Sequence, residues 1–183
     1  RVFDIFSGAA TTISGMSITN GMRNGTGLEA RGGGIRINSA SVLLDQVAIR
    51  NNVASDLGGG IANESSGSSG GVTIRNSSLQ FNRGSSGGAV HNFNDTLVIE
   101  NSLFDSNNAI SGPGGALAHV GSGTISGSRF SHNMSSASGG AIAISQNIVS
   151  PATTTISDSE ISENTANSGG GIQVLFDTLD LID

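Results

Sequence analysis

The sequence contains no cysteine, no tryptophan and no tyrosine, and only two prolines. It has no lysine either, because all eight basic residues are arginines. Charged residues make up only 12% of it. Each absence removes a class of protein. Without cysteine there is no disulfide framework and no thiolate metal site. Without lysine there is no lysine Schiff base and no P-loop. So little proline, and no strict glycine period of three, excludes a collagen triple helix. No apolar run approaches about 18 residues, so no transmembrane helix is expected. A formal charge of −6 argues against nucleic-acid binding, which favours a basic surface.

What is present is glycine, 28 of 183 residues, with a hydrophobic share of 36%. That share supports a packed core rather than disorder, and the length fits one domain. We read residues 1–183 as a single repeat unit, with an irregular first coil over 1–31 and regular repeats over 32–183. No signal-peptide pattern opens the chain, and Asp183 falls in what reads as an unfinished strand. The expectation is a segment of a longer chain.

The repeat is the main signal. A tetrapeptide recurs six times: GGGI at 32–35 and 58–61, GGAV at 87–90, GGAL at 114–117, GGAI at 139–142 and GGGI at 169–172. Its last residues, Ile35, Ile61, Val90, Leu117, Ile142 and Ile172, form one candidate core column. Between copies lies a gap-free block: apolar, x, polar or Gly, x, x, apolar, x, x, Asn. Its first apolar column is Ile13, Leu44, Ile74, Ile99, Ile125 and Ile156. Its second is Ile18, Ile49, Leu79, Phe104, Phe130 and Ile161. Its last column is Gly21, then Asn52, Asn82, Asn107, Asn133 and Asn164.

Glycine pairs and abundant Ser, Thr and Asn disfavour helix. Segments such as Val72-Thr73-Ile74 and Leu97-Val98-Ile99 read as short strands. The expected fold is all-β: a right-handed parallel β-helix of about six coils, each of roughly 27 residues and about three strands. Stacked about 4.8 Å apart, equivalent apolar residues bury one another. Glycine then serves a corner where a Cβ would strike the next coil. The asparagines form an amide ladder at another corner, and Gly21 interrupts it at the first coil.

The pairing of GGA plus Ile, Leu or Val with Phe-x-x-Asn resembles the repeat of the chlamydial polymorphic outer membrane proteins. It also resembles the wider group of bacterial right-handed parallel β-helix surface proteins. Here it occurs as GGAV with Phe104-Asp105-Ser106-Asn107 and as GGAL with Phe130-Ser131-His132-Asn133. The other coils carry Ile or Leu in place of Phe, and residues 1–21 are similar to the first coil of the wider group. The resemblance spans nearly the whole chain. It implies a secreted, often adhesive passenger or stalk. The polymorphic proteins also carry a membrane-inserted barrel, which no part of this sequence resembles, and often cysteines.

Parallel β-helices also include polysaccharide lyases and hydrolases, which need gathered carboxylates. The polygalacturonase motifs Asn-Thr-Asp, Asp-Asp, Gly-His-Gly and Arg-Ile-Lys do not occur, and no two acidic residues are adjacent. The densest acidic set is Asp95, Glu100 and Asp105. His119 falls two residues after Leu117 and faces inward, aligned with Asn92 and Asn63 and flanked by Ile37, Ile144 and Val174. This set reads as a buried polar stack or a shallow site. His91 is expected to point outward and His132 to be exposed; the three histidines form no zinc motif. Gly67 to Gly71 reads as a loop, and the calcium-binding nonapeptide is missing. Thr11-Thr12 and Thr153-Thr154-Thr155 are isolated, against an ice-binding array.

No cofactor, metal or catalytic residue is expected. The expected function is structural and adhesive: an extracellular or cell-surface β-solenoid presenting loops 21–31, 63–71 and 146–152 to a host or environmental surface, including carbohydrate. Self-assembly head to tail into a fibre is a related expectation, since open solenoid ends expose strand edges. The alternative from another class is a polysaccharide-acting enzyme or carbohydrate-binding β-helix.

Overall fold

The computed structural model describes residues 1–6, 8, 10–64, 70–145 and 152–182. The chain winds as a parallel β-helix of about six turns. Successive turns stack into four parallel sheets of seven, seven, six and five strands. One turn shows the pattern: Val90–Phe93, Thr96–Glu100, Leu103–Asp105 and Asn108–Ala109, one strand for each sheet. Each turn therefore has four strands, where the sequence pattern predicts three. The fourth strand is only two residues long, too short for alternation to show. Among the described residues the one helical element is a 3-10 turn at Gly27–Ala30, and no helix is long and apolar enough to cross a membrane.

The repeat alignment is the physical register. Val90 pairs with Ile61 on one side and Leu117 on the other. Ile99 pairs with Ile74 and Ile125, and Phe104 with Leu79 and Phe130. These columns point inward and are fully buried. Phe104 and Phe130 stack with ring centroids 4.6 Å apart and planes within 10°. Ile161 and Ile172, in the last turns, are only partly buried. The first coil, expected to be irregular, supplies a strand to every sheet. Residues 24–31 leave the stack as a loop that holds the 3-10 turn.

Single left-handed residues turn the corners. Gly32, Gly58, Gly87, Gly114, Gly139 and Gly169 take φ of 59–73° between the fourth and first sheets. The next glycine serves close approach instead: a Cβ on Gly115 would lie 2.0 Å from the Gly140 carbonyl oxygen. Between the third and fourth sheets the left-handed residues are Asn20, Asn51, Phe81, Ser106, His132 and Glu163.

Just after that corner stand the asparagines. Asn107 Nδ2 donates to Leu79 O at 2.8 Å and to Asn133 Oδ1 at 3.0 Å. Asn107 Oδ1 accepts from the Asn82 N–H at 3.0 Å and from Asn82 Nδ2 at 3.1 Å. The same pattern links Asn52 to Asn82 and Asn133 to Asn164. Gly21 ends the ladder by donating its N–H to Asn52 Oδ1 at 2.8 Å. A Cβ at Gly21 would lie 2.0 Å from Gly33 O, so the break in the asparagine column is steric.

The outward face of the second sheet holds one surprise. The register aligns Thr12, Leu43, Thr73, Val98, Thr124 and Thr155 in one column. Threonines that look isolated in the sequence are thus stacked, because loops of unequal length hide their register. Leu43 and Val98 interrupt the hydroxyls, so the face is not a regular threonine array.

Candidate functional site

The interior polar residues come first. Asn63, Asn92 and His119 pair in register along the first sheet. Asn63 Nδ2 donates to Asn92 Oδ1 at 2.7 Å and reaches Asp95 Oδ2 at 3.4 Å. Asn92 Nδ2 donates to Asp95 O at 2.8 Å and lies 3.1 Å from His119 Nδ1. A Cβ on Gly123 would sit 2.9 Å from His119 Nε2, so the imidazole fills the space of a missing side chain. Burial lowers the His119 pKa to about 4, opposed by Asp177 and by backbone hydrogen bonds at Gly121 and Ser122. Burial raises the Asp95 pKa, opposed by hydrogen bonds from Asn63 and the Thr96 and Gly70 amides.

All four residues are at most 5% exposed. No substrate reaches them, and they form a polar seam in the core. Glu100 and Asp105 do not join it, which corrects their grouping with Asp95. Glu100 is a half-buried residue ending a second-sheet strand, two positions after outward-facing Val98. Asp105 ends a third-sheet strand and is held by Ser131, Ser106 and His132. Those hydrogen bonds outweigh its burial and lower its pKa; the bond to Asp105, with Glu163 nearby, raises that of exposed His132. Among the described residues, no three acidic or histidine side chains gather as a metal site.

The accessible chemistry lies outside the first sheet. His91 and Phe93 face outward, on the other side of the strand from Val90 and Asn92. His91 stands between Ala62 and Ala118, and these small neighbours leave a trough. Residues 24–31 fold over its edge. Arg1 pins that loop by donating to the carbonyls of Leu28, Glu29 and Arg31. The Glu29 carboxylate is held by Arg23 at 2.7 Å and Arg36 at 3.6 Å.

The result is a groove of about 620 Å³, within the range of small-molecule sites. Leu28, Leu57 and Phe93 supply apolar walls; Arg31, Asn38, Glu64, His91 and Asn94 supply polar groups. Arg31 bonds Asp56 at 2.8 Å and lies 3.3 Å from Glu64. Burial works against its charge, but the Asp56 hydrogen bond and the Glu64 field outweigh it and raise its pKa. His91, expected to face solvent, lies half-buried in the groove. Desolvation and the nearby Arg31 charge lower its pKa to about 4, so it is neutral at pH 7.

A wider, shallower trough of about 840 Å³ runs along the corner between the second and third sheets. Its floor is a second ladder. Ser77, Ser102, Ser128 and Ser159 each accept the N–H of the residue one coil earlier at 3.1 Å. Each hydroxyl donates to the carbonyl two residues before it. With those groups paired, the trough has little left to offer a ligand. This ladder was legible at a fixed five residues before each asparagine, but serine is too common in the chain for the column to stand out.

No family model, curated protein or solved structure matches the chain. The functional reading therefore rests on the geometry of this chain. Of the predicted contact loops, 21–31 forms one wall of the groove. Residues 65–69 of the second and 146–151 of the third lie outside the described residues.

Proposed function

We propose that the protein is a rigid adhesive rod of a cell-surface or secreted protein, of the kind its repeat resembles. The observation behind this reading is the contrast between inside and outside. Corner asparagines and serines are bonded from coil to coil, which stiffens the stack. Unequal loops and the groove carry the outward variation. The test is retention of beads coated with the purified chain on surfaces bearing glycans or extracellular polymers. Retention above albumin-coated beads is the expected result. Retention equal to albumin on every surface, or release of reducing ends from a polysaccharide panel, overturns it.

A second reading is end-to-end stacking. Leu175, Leu181 and Ile182 are exposed on the last strands, and Phe176 in the turn between them. Either a further coil of a longer chain or a second copy covers such an edge. Light scattering of the 183-residue chain separates the two: mass rising with concentration supports stacking, and a constant monomer mass rejects it.

A further inference from the structure

We propose that Asn24-Gly25 is a site of self-modification, where the asparagine converts to aspartate and isoaspartate. The only co-reactant is water. The Gly25 nitrogen loses its proton and attacks Asn24 Cγ. A C–N bond forms, the Cγ–Nδ2 bond breaks, and ammonia leaves. Water then opens the five-membered imide at either carbonyl: opening at Cγ gives aspartate, and opening at the backbone carbonyl gives isoaspartate. The reaction needs a backbone N–H free to turn towards the preceding carboxamide, and space for the ring. An N–H already committed to an acceptor must first break that bond, which costs free energy.

The fold meets both needs at Asn24 and denies them at other exposed asparagines. The sequence holds the Asn-Gly dipeptide twice, at Asn20-Gly21 and Asn24-Gly25. Gly21 is buried, its N–H is bound to Asn52 Oδ1, and its carbonyl accepts from the Val53 N–H at 2.8 Å. Asn51, Asn76 and Asn101 are exposed corner residues, but the N–H that follows each belongs to a ladder. Asn52 donates to Asn82 Oδ1, Ser77 to Ser102 Oγ and Ser102 to Ser128 Oγ, each at 3.1 Å. Asn24 and Gly25 lie outside the stack and are exposed. The Gly25 N–H has no partner among the described residues; its carbonyl is held by Ser55 Oγ at 2.9 Å. A Cβ built on Gly25 would meet nothing within 4 Å, so the ring has room. Either product sets a carboxylate one residue from Arg23, which holds Glu29. Isoaspartate also lengthens the backbone of the groove wall by a methylene.

The test is a timed incubation of the folded chain in neutral and in mildly alkaline buffer, followed by trypsin and mass spectrometry against an unincubated control. Cleavage after each arginine puts Asn24 in peptide 24–31, Asn20 in 2–23 and Asn76 in 76–83. The expected result is amide-to-acid conversion in 24–31 at least tenfold faster than in the other two, and faster still in the alkaline buffer. The isoaspartyl form should elute as a second peak of equal mass. In urea, peptide 2–23 should catch up, because both Asn-Gly pairs are then equally free. Asn24→Gln, whose longer side chain closes the ring poorly, should leave 24–31 unchanged. No conversion in 24–31 of the unsubstituted chain overturns the proposal, as do equal rates at Asn20 and Asn24 in the folded chain. Asn20 that stays slow in urea also overturns it, by placing the difference in neighbouring residues and not in the fold.

Discussion

At the corner between the third and fourth sheets, the Asn107 carboxamide closes four hydrogen bonds with zero exposure. Replacing it with alanine removes the side-chain acceptor of the Asn82 N–H and the amide donor to the Leu79 carbonyl, while Asn133 Oδ1 keeps the Asn107 N–H and Asn82 Nδ2 keeps the Ile49 carbonyl. Asn107→Ala is expected to cost about 1–3 kcal/mol in urea unfolding, and Ser102→Ala, with one accepted and one donated bond, about 1 kcal/mol. Equal costs would mean that the amide stack adds nothing beyond a single backbone cap. His119 sets a pH dependence. Folded, it stays neutral down to about pH 4; unfolded, it takes a proton near its ordinary value of 6.5. Between those values the unfolded chain binds more protons, so this contribution to stability falls as pH drops from 6.5 towards 4. For a residue 1% exposed, the full loss is on the order of 3 kcal/mol. His119→Asn, continuing the amides of Asn63 and Asn92, should flatten the pH slope measured by urea midpoints at pH 7 and pH 5. An unchanged slope would assign the titration to His91, whose pKa is lowered in the same direction, instead.

At the scale of elements, the strands were legible because the inward columns keep a fixed spacing within the gap-free block, whatever the length of the loop between it and the tetrapeptide. Ile49, Leu79, Phe104 and Phe130 announce burial, and the asparagine at the next corner announces the turn. The groove was not legible. Its floor follows the coil period, with Asn38, Glu64 and Phe93 register partners one coil apart, but Leu28 and Arg31 come from a loop outside the repeat, and that covering loop is held by arginines from three separate places. The outward assignment of His91 followed correctly from alternation, but alternation cannot see a loop lying across the sheet. The same loop offers a test. Glu29→Gln weakens the pairs to Arg23 and Arg36 while keeping the carbonyls that Arg1 holds. These pairs are partly exposed, so little stability is at stake. Hydrogen exchange should quicken within residues 24–31 and stay unchanged in the Ile61–Glu64 strand. Faster exchange in both would show that the loop supports the sheet beneath it.

For the whole molecule, the decisive property is that each coil pairs only with the coils before and after it. Such a stack behaves as a one-dimensional array, whose stability is a sum of coil terms and interface terms. The Phe104–Phe130 contact is a strong interface between the fourth and fifth turns. Phe130→Ala opens a cavity there and should cost about 3–5 kcal/mol. In a linear stack that cost is not shared evenly. Coils beyond the weakened interface can open together while the earlier coils remain paired among themselves. Native-state hydrogen exchange should therefore show protection lost mainly in Leu117–Val120, Ile142–Ser145 and later strands, and largely kept in Ile35–Asn38 and Ile61–Glu64. A uniform loss across all four would mean that the rod unfolds as one cooperative unit. The continuous asparagine and serine ladders would then couple distant coils more strongly than nearest-neighbour packing does.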